Sequence, residues 1–204
     1  MQLLNKTKQS IVSHSITLFS EKGYENVSIR NIADAVKIKP ASIYNHFESK
    51  ESILDHIYNY YVQNCFNERL TPAEYMPILR TGSAVDIISI LNYGFKDPII
   101  MFNVTRILWA RKYIDPVAKK VYKECVIDAG MTYIVEVIAK GIELRRIDMK
   151  PENIQTFASL VLSSRVFAAN AIVIDPDRDK WRHSETAMLE LLSGLLTLNA
   201  PLPA

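Results

Sequence analysis

The chain is 204 residues long, with 49% hydrophobic and 23% charged residues and a formal net charge of +2, the composition of a globular protein large enough to bury a core. It has no apolar run long enough to span a bilayer, and its two cysteines, Cys65 and Cys125, form no paired motif. These features exclude a transmembrane protein and a disulfide-stabilised scaffold. Six glycines are few, and turn residues are sparse over long stretches, which favours an all-α fold.

The positive charge lies mainly in the first quarter of the chain. Residues 1–50 carry seven basic and four acidic side chains, a net charge of +3, whereas the remainder carries 17 basic and 18 acidic side chains, a net charge of −1. A surface that binds phosphates requires such a local excess. The first ten residues are polar and do not form a signal peptide, so we expect a cytoplasmic protein. In a reducing cytoplasm, Cys65 and Cys125 are expected to be buried thiols, with a redox pair as the alternative.

The first predicted helix covers residues 6–22 and ends before Gly23, a typical residue just past a helix terminus. The next segment, 28–36, predicts a short helix with Ser28 at its N-cap, where a hydroxyl accepts a bond from an unpaired backbone N–H. Three- and four-residue steps place its apolar residues on one face. These are Ile29, Ile32, Ala33 and Val36.

A further short helix is predicted over residues 40–47, after a tight turn. It begins at Pro40, because proline lacks the N–H that would be unpaired at a first helical position, and Ile43 and Phe47 lie on its inner face. The outer face carries hydrogen-bond donors, one small residue and no carboxylate; its members are Lys39, Ala41, Ser42, Tyr44, Asn45 and His46. Such a surface suits the DNA major groove.

This helix-turn-helix resembles that of the TetR/AcrR family of transcriptional repressors, and the match runs from Ile11 to Leu54. Many fixed spacings make it specific. The matching residues include Leu18, Phe19, Lys22, Gly23, Tyr24, Ser28, Ile32, Ala33, Ala35, Ile38, Ser42, Ile43, Tyr44, His46, Phe47, Ser49, Lys50 and Glu51. The resemblance implies an all-α protein with a helix-turn-helix DNA-binding domain over 1–48 and a helical ligand-binding and dimerisation domain over 49–204.

The sequence departs from the family pattern at the turn and at the start of the second helix. Lys37 stands where the family usually has a glycine, which predicts a side-chain-bearing residue at positive φ. Lys39 and Pro40 replace the usual Ser-Lys pair and remove a good N-cap, and Ala41 replaces a common glycine. An operator sequence therefore cannot be transferred from a relative.

The resemblance also implies roles for the residues that face DNA. The helix that begins at Pro40 would enter the major groove, with base edges near Lys39, Ala41, Ser42 and Asn45. Arg30 would reach bases or backbone. The residues expected to hold phosphates and fix the register are Ser28, Tyr44, His46 and Lys50.

Ser49 predicts the N-cap of a long fourth helix that ends at Thr71 and Pro72. Its inward-facing residues, at helical spacing, are Ile53, Leu54, Ile57, Tyr58 and Tyr61. Later helices are expected at residues 72–80, 84–93, 98–113, 116–143, 152–174 and 182–198, with prolines near the breaks between them.

Aromatic residues concentrate in the central helices, as in a largely apolar small-molecule pocket. The expected ligand-binding residues are Phe102, Arg106, Trp109, Tyr113 and Tyr122, and a cavity is expected chiefly because the family has one. The alternative for each aromatic residue is a place in the core, and for Arg106 a place on the surface.

Two apolar stripes in the last two helices predict a homodimer interface, by pairing into a four-helix bundle. The first stripe is Phe157, Leu160, Val161, Ser164 and Ala168, and the second is Met188, Leu191, Leu192 and Leu195. Small residues that allow close helix approach accompany them, namely Ala168, Ala169, Ala171, Ser193 and Gly194. The alternative is that both stripes face only their own domain.

The sequence therefore predicts a homodimeric repressor released from a palindromic DNA operator by a small-molecule effector. The alternative is a DNA-binding regulator without a small-molecule ligand, controlled by a protein partner. We do not expect an enzyme, because no HExxH pair, Gly-rich phosphate loop or GxSxG elbow occurs. No metal, cofactor or membrane partner is expected.

Overall fold

A computed structural model describes residues 6–65, 69–92, 98–174 and 178–202. Packing divides the chain into two compact units, residues 1–65 with 99–123, and residues 66–98 with 124–204. This division differs from the sequence-based boundary at residue 48. Within the described residues, no helix combines the length and the apolar character needed to cross a membrane.

The α-helices of the described residues are α1 (Lys6–Lys22), α2 (Ile29–Val36), α3 (Pro40–Ile43), α4 (Lys50–Asn64), α5 (Pro72–Thr81), α6 (Ala84–Asn92), α7 (Pro98–Arg111), α8 (Pro116–Val121), α9 (Ala129–Glu143), α10 (Ile154–Ile174) and α11 (Arg178–Gly194). A π-helical segment, Tyr122–Asp128, connects α8 to α9, and a 3₁₀ turn, Pro151–Asn153, precedes α10. The all-α architecture is as the sequence predicts.

The first unit forms around the apolar faces of α1, α2, α3 and α4. The predicted inner face of α4 is buried along its whole length, from Ile53 to Tyr61. The helix ends earlier than expected, at Asn64, where the Cys65 N–H still donates to the Tyr61 carbonyl at 2.7 Å. The predicted end at Thr71 is therefore wrong, and Thr71 instead precedes α5.

Two features of the chain after α7 were not predicted. The expected single helix over 116–143 contains the π-helical segment, a wider turn in which the regular hydrogen-bond pattern changes. The last helix stops at Gly194 rather than at Leu198, because the chain then forms a two-residue strand, β2 (Thr197–Leu198), antiparallel to β1 (Ile147–Asp148). In this pair Ile147 lies opposite Leu198.

The two apolar stripes of α10 and α11 divide between the interior and the surface. Phe157, Val161 and Ser164 are buried, and Leu192 belongs to the same core. Leu160, Leu191 and Leu195 are exposed, and so is Phe167, which was not among the predicted stripe residues. The accessible fractions of these four side chains range from 48% to 75%. Ala168, Ala169 and Ala171 have side chains outside those that the structure describes.

The turn between α2 and α3 confirms the expectation for Lys37. This residue has φ 61° and ψ 42°, the left-handed conformation. The Ile38 N–H donates to the Ala33 carbonyl at 3.0 Å, which closes the end of α2. A side chain at this position stores backbone strain that glycine would not have.

We therefore predict that Lys37→Gly raises the free energy of unfolding by about 1 kcal/mol, because glycine adopts positive φ without steric conflict. Urea unfolding followed by circular dichroism measures the change. Lys37→Ala is the matched control, since it removes the charge and keeps the β-carbon. Equal stability of the glycine and alanine variants would show that the backbone conformation is not the cause.

Candidate nucleic-acid interface

The helix α2 is fixed at its start by a reciprocal capping box. The Asn31 N–H donates to Ser28 Oγ at 3.2 Å, and both the Ser28 N–H and its hydroxyl donate to Asn31 Oδ1, at 2.8 and 2.7 Å. The predicted N-cap is thus confirmed. Both donors of Ser28 are used within the cap, so in this structure the residue positions the helix; its expected phosphate contact stays a prediction.

The helix α3 is shorter than the sequence predicts. It begins at Pro40, and Lys39 at its N-cap makes no side-chain capping bond. It ends at Ile43, whose carbonyl accepts from the N–H groups of His46 and Phe47 at 2.9 and 3.0 Å. The segment after Ile43 is therefore a tight turn rather than a further helical turn. Ile43 and Phe47 are buried, as predicted.

The outer surface of α3 and its turn has the chemistry expected of a DNA-reading element. Most of its predicted contact residues are exposed: Lys39, Pro40, Ala41, Tyr44 and Asn45. Ser42 and His46 are half-buried, and Arg30 on α2 is exposed. No carboxylate occurs between positions 39 and 47. The surface therefore presents donors to an anionic partner without a local negative charge to repel it.

Lys50 performs a structural role that the sequence does not reveal. Its ammonium group donates to the carbonyl oxygens of Tyr24 and Val27, at 3.0 and 2.9 Å, and lies 4.1 Å from the centre of the Tyr24 ring. Two of its three N–H bonds are thus directed into the protein. In this structure Lys50 therefore joins the start of α4 to the segment between α1 and α2, and its expected phosphate contact stays a prediction.

Tyr24 lies between two cations, and this arrangement involves a residue that the sequence did not mark as functional. The Arg111 guanidinium carbon lies 4.2 Å from the Tyr24 ring centre, and Arg111 Nη1 donates to Glu25 Oε1 at 2.7 Å. Burial, followed by the charge of Glu51, raises the pKa of Tyr24, which keeps its hydroxyl neutral. Cation–π attraction to such a ring is strongest where water is excluded.

Asp115 extends this contact to α4 and α8. Arg111 Nε and the Tyr58 hydroxyl both donate to Asp115 Oδ2, at 3.4 and 3.1 Å. Its other oxygen caps α8 by accepting from Val117 and Ala118 N–H groups. Burial acts to raise the pKa of Asp115, but the hydrogen bonds from α8 and from Tyr58 lower it below the usual range. We call Tyr24, Glu25, Lys50, Arg111 and Asp115 the head cluster.

The expected ligand residues do not form one enclosed set. Phe102, Arg106 and Trp109 are half-buried on α7, and Tyr122 is buried, with its ring 5.7 Å from that of Trp109. Tyr113 is 82% exposed, because α7 ends at Arg111 and Tyr113 lies in the turn that follows. Tyr113 is therefore not enclosed together with the other four residues, and the role of the set in ligand binding stays a prediction.

The amino-terminal segment is similar to known DNA-binding domains. Residues 11–57 match the family model described as bacterial regulatory proteins, tetR family. Over 60 residues the chain is 47% identical to the biofilm operon icaADBC HTH-type negative transcriptional regulator IcaR of Staphylococcus epidermidis, and 48% identical to that of Staphylococcus aureus strain Newman. Each match covers 29% of this chain and 30% of the relative, so the chain matches less than a third of the length of these relatives.

The whole chain shares its fold with solved structures. A TetR transcriptional regulator from Chloroflexus aurantiacus has a TM-score of 0.67 at 18% identity, covering 95% of this chain and 98% of its own. A TetR-family regulator from Cytophaga hutchinsonii also scores 0.67, at 15% identity, covering 97% and 100%. A protein from Saccharomonospora viridis, solved in complex with choline, scores 0.64 at 16% identity, covering 95% and 99%.

The contribution of Lys50 to folding stability can be compared with that of an exposed lysine by a pair of variants. Lys50→Met leaves two carbonyl groups without their charged donor, so we predict a loss of about 2 kcal/mol in the free energy of unfolding. Lys39→Met removes an exposed cation and should change stability by less than about 0.5 kcal/mol. Urea unfolding of both variants gives the comparison. If Lys50→Met is as stable as the wild type, the two hydrogen bonds do not hold α4 in place.

Proposed function

Because residues 11–57 match the tetR family of bacterial regulatory proteins, we propose that the chain is a DNA-binding transcriptional repressor of this family that acts in the cytoplasm. The observation that supports this most directly is the exposed, donor-bearing surface of α3, which carries no carboxylate and lies within the segment that matches the family. The naming of the staphylococcal relatives as negative regulators supports repression rather than activation. The family and its fold are those of regulators and not of enzymes.

In this proposal α3 enters the major groove, with Pro40 at its start. The exposure of Lys39, Ala41 and Asn45 supports contacts to base edges, with Ser42 beside them. Tyr44, which is 57% exposed, and His46 would contact phosphates, and Arg30 would reach either bases or backbone. Ser28 and Lys50 act indirectly, by holding α2 and α4 in position.

The exposed apolar side chains of α10 and α11 support a homodimer. Leu160, Phe167, Leu191 and Leu195 lie on two neighbouring helices and are large, apolar and accessible. Helical spacing places Leu160 with Phe167, and Leu191 with Leu195, on one face of their helix, and exposed apolar faces mark interaction surfaces. A two-fold pairing of α10 and α11 would bury them and present two α3 helices to the half-sites of a palindromic operator.

A small-molecule effector would release the protein from its operator. The solved structure with choline supports this, because it shows that a protein of this fold accommodates a small molecule. Effector and operator would then be reciprocally coupled, typically by about 1–3 kcal/mol. The head cluster gives this coupling a physical route, since Arg111 on α7 contacts Tyr24 and Glu25 beside the DNA-reading helices.

We predict that Asn45→Ala reduces the preference for operator over random DNA, by about 1–3 kcal/mol if Asn45 contacts a base in a bidentate manner. Tyr44→Ala should weaken binding to both DNAs alike and reduce the salt dependence. Fluorescence anisotropy with labelled operator and random duplexes at several salt concentrations measures both effects. Equal losses on the two duplexes for Asn45→Ala would contradict its assignment to a base edge.

The dimer is tested by placing charge on the exposed face of α11. The wild-type protein should be a dimer by light scattering at micromolar concentration, and Leu191→Lys with Leu195→Lys should be a monomer, because paired helices cannot bury lysine ammonium groups. Val85→Lys, on the exposed surface of α6, is the matched control and should remain dimeric. A monomeric wild-type protein would overturn the proposed interface.

A further inference from the structure

Three aromatic rings surround the ammonium group of a lysine at the end of α7. Lys112 Nζ lies 3.0 Å from the centre of the Trp109 ring, 4.2 Å from that of Tyr113 and 5.5 Å from that of Tyr122. Three π faces directed at one cation is an arrangement that recognises organic cations, because the negative faces of the rings attract positive charge. We call Trp109, Tyr113 and Tyr122 the aromatic cage.

The aromatic cage is firm on one side and open on the other. Tyr122 is buried and packs against Trp109, with an angle of 58° between the two ring planes. Tyr113 is exposed and lines an open pocket of about 450 Å³. The lining of this pocket is Lys112, Tyr113, Ile114, Asp115, Pro116 and Lys119. A small molecule can therefore approach the aromatic cage from solvent through the pocket.

We propose that the aromatic cage is a binding site for a quaternary ammonium compound, which takes the place of the Lys112 ammonium group. Between the rings one monovalent cation replaces another, while the Lys112 ammonium group turns outward into solvent. The displacement is favoured by a difference in hydration: a primary ammonium group is strongly hydrated and regains its hydrogen bonds in water, whereas a quaternary ammonium group has no N–H and gains from aromatic faces.

Lys112 itself is weakly held in the aromatic cage. Apart from the rings, its ammonium group donates to the Trp109 carbonyl at 3.2 Å. This carbonyl lies three residues earlier in the same helix, so the contact does not tie α7 to another element. A flexible side chain with one such bond can turn outward without breaking the fold, and the aromatic cage is then available to another cation.

The position of the aromatic cage gives the bound cation a regulatory effect, and this step rests on the proposed function. Arg111 is adjacent to Lys112 in the chain, and it contacts Tyr24 and Glu25 in the head cluster. Asp115 both lines the pocket and accepts a hydrogen bond from Arg111. A cation in the aromatic cage therefore changes the immediate surroundings of the residues that hold the DNA-reading helices.

The binding test uses the intrinsic fluorescence of Trp109. The chain has two tryptophans, so the full-length Trp181→Phe protein reports on Trp109 alone. Titration with tetramethylammonium chloride should change the fluorescence with a saturable, millimolar affinity. Sodium chloride controls for ionic strength and tert-butanol for size without charge. A fluorescence change of the same size with either control would overturn the proposal.

The half-buried Lys112 and the exposed Tyr113 provide the variants. Lys112→Met removes the internal competitor and should strengthen tetramethylammonium binding at least threefold. Tyr113→Leu should weaken it at least threefold, and Tyr113→Phe, which keeps the ring, should restore it. Both residues lie at the end of α7 and neither is buried, so circular dichroism should show the wild-type fold for all three. Wild-type affinity in both Lys112→Met and Tyr113→Leu would overturn the proposal.

A parallel measurement on DNA separates failure of this inference from failure of the proposed function. Anisotropy of a labelled duplex should show that saturating tetramethylammonium chloride weakens binding at least threefold relative to equal sodium chloride. If the protein binds no duplex while Trp109 still reports the cation, the proposed function fails and the site stands. If duplex binding is intact and Trp109 does not respond, the site fails and the proposed function stands.

Discussion

The packing of Tyr24 between the cations of Lys50 and Arg111 is the interaction on which the first unit depends. The Lys50 Nζ and the Arg111 guanidinium carbon lie 4.1 and 4.2 Å from the centre of the Tyr24 ring. Each cation–π pair contributes about 0.5–2 kcal/mol of stabilisation, with the larger values where water is excluded. Both cations also make hydrogen bonds, Lys50 to two backbone carbonyls and Arg111 to Glu25. One aromatic ring thus joins the DNA-reading helices to α4 and α7.

This arrangement changes how the amino-terminal positive charge is understood. The net charge of residues 1–50 suggests a uniformly basic face, but Lys50 is directed into the protein. Arg30, Lys37 and Lys39 remain exposed near the reading surface, and they are the cations available to phosphates. The electrostatic footprint is therefore smaller than the composition indicates, and in the proposed complex donors such as Tyr44 and Asn45 would contribute correspondingly more to the DNA contact.

Exposed apolar groups occur in two chemically different places. On α10 and α11 they are aliphatic except for Phe167, and they form a surface suited to another protein surface. Just beyond α7 the exposed Tyr113, with the half-buried Trp109 and the buried Tyr122, surrounds the Lys112 ammonium group, an arrangement suited to a small charged molecule. This second place lies in the same unit as the head cluster, so the proposed cation site and the contacts that hold α2 and α4 belong to one packed body.

Features that depend on residues within one or two helical turns could be predicted from the chain alone. The Ser28 cap, the start of α3 at Pro40 and the buried face of α4 follow from local spacing and backbone chemistry, whereas the positive φ of Lys37 was expected from the family resemblance. Only the tertiary structure decided the roles of Lys50 and Arg111, because their partners lie 26 and 86 residues away. The aromatic cage could likewise be seen only in the folded chain. Trp109 and Tyr122 lie in separate helical segments, and helical periodicity does not predict which faces of two segments pack together. Charge and aromaticity are local properties of a sequence, whereas the neighbour that gives them a function is set by how the chain packs.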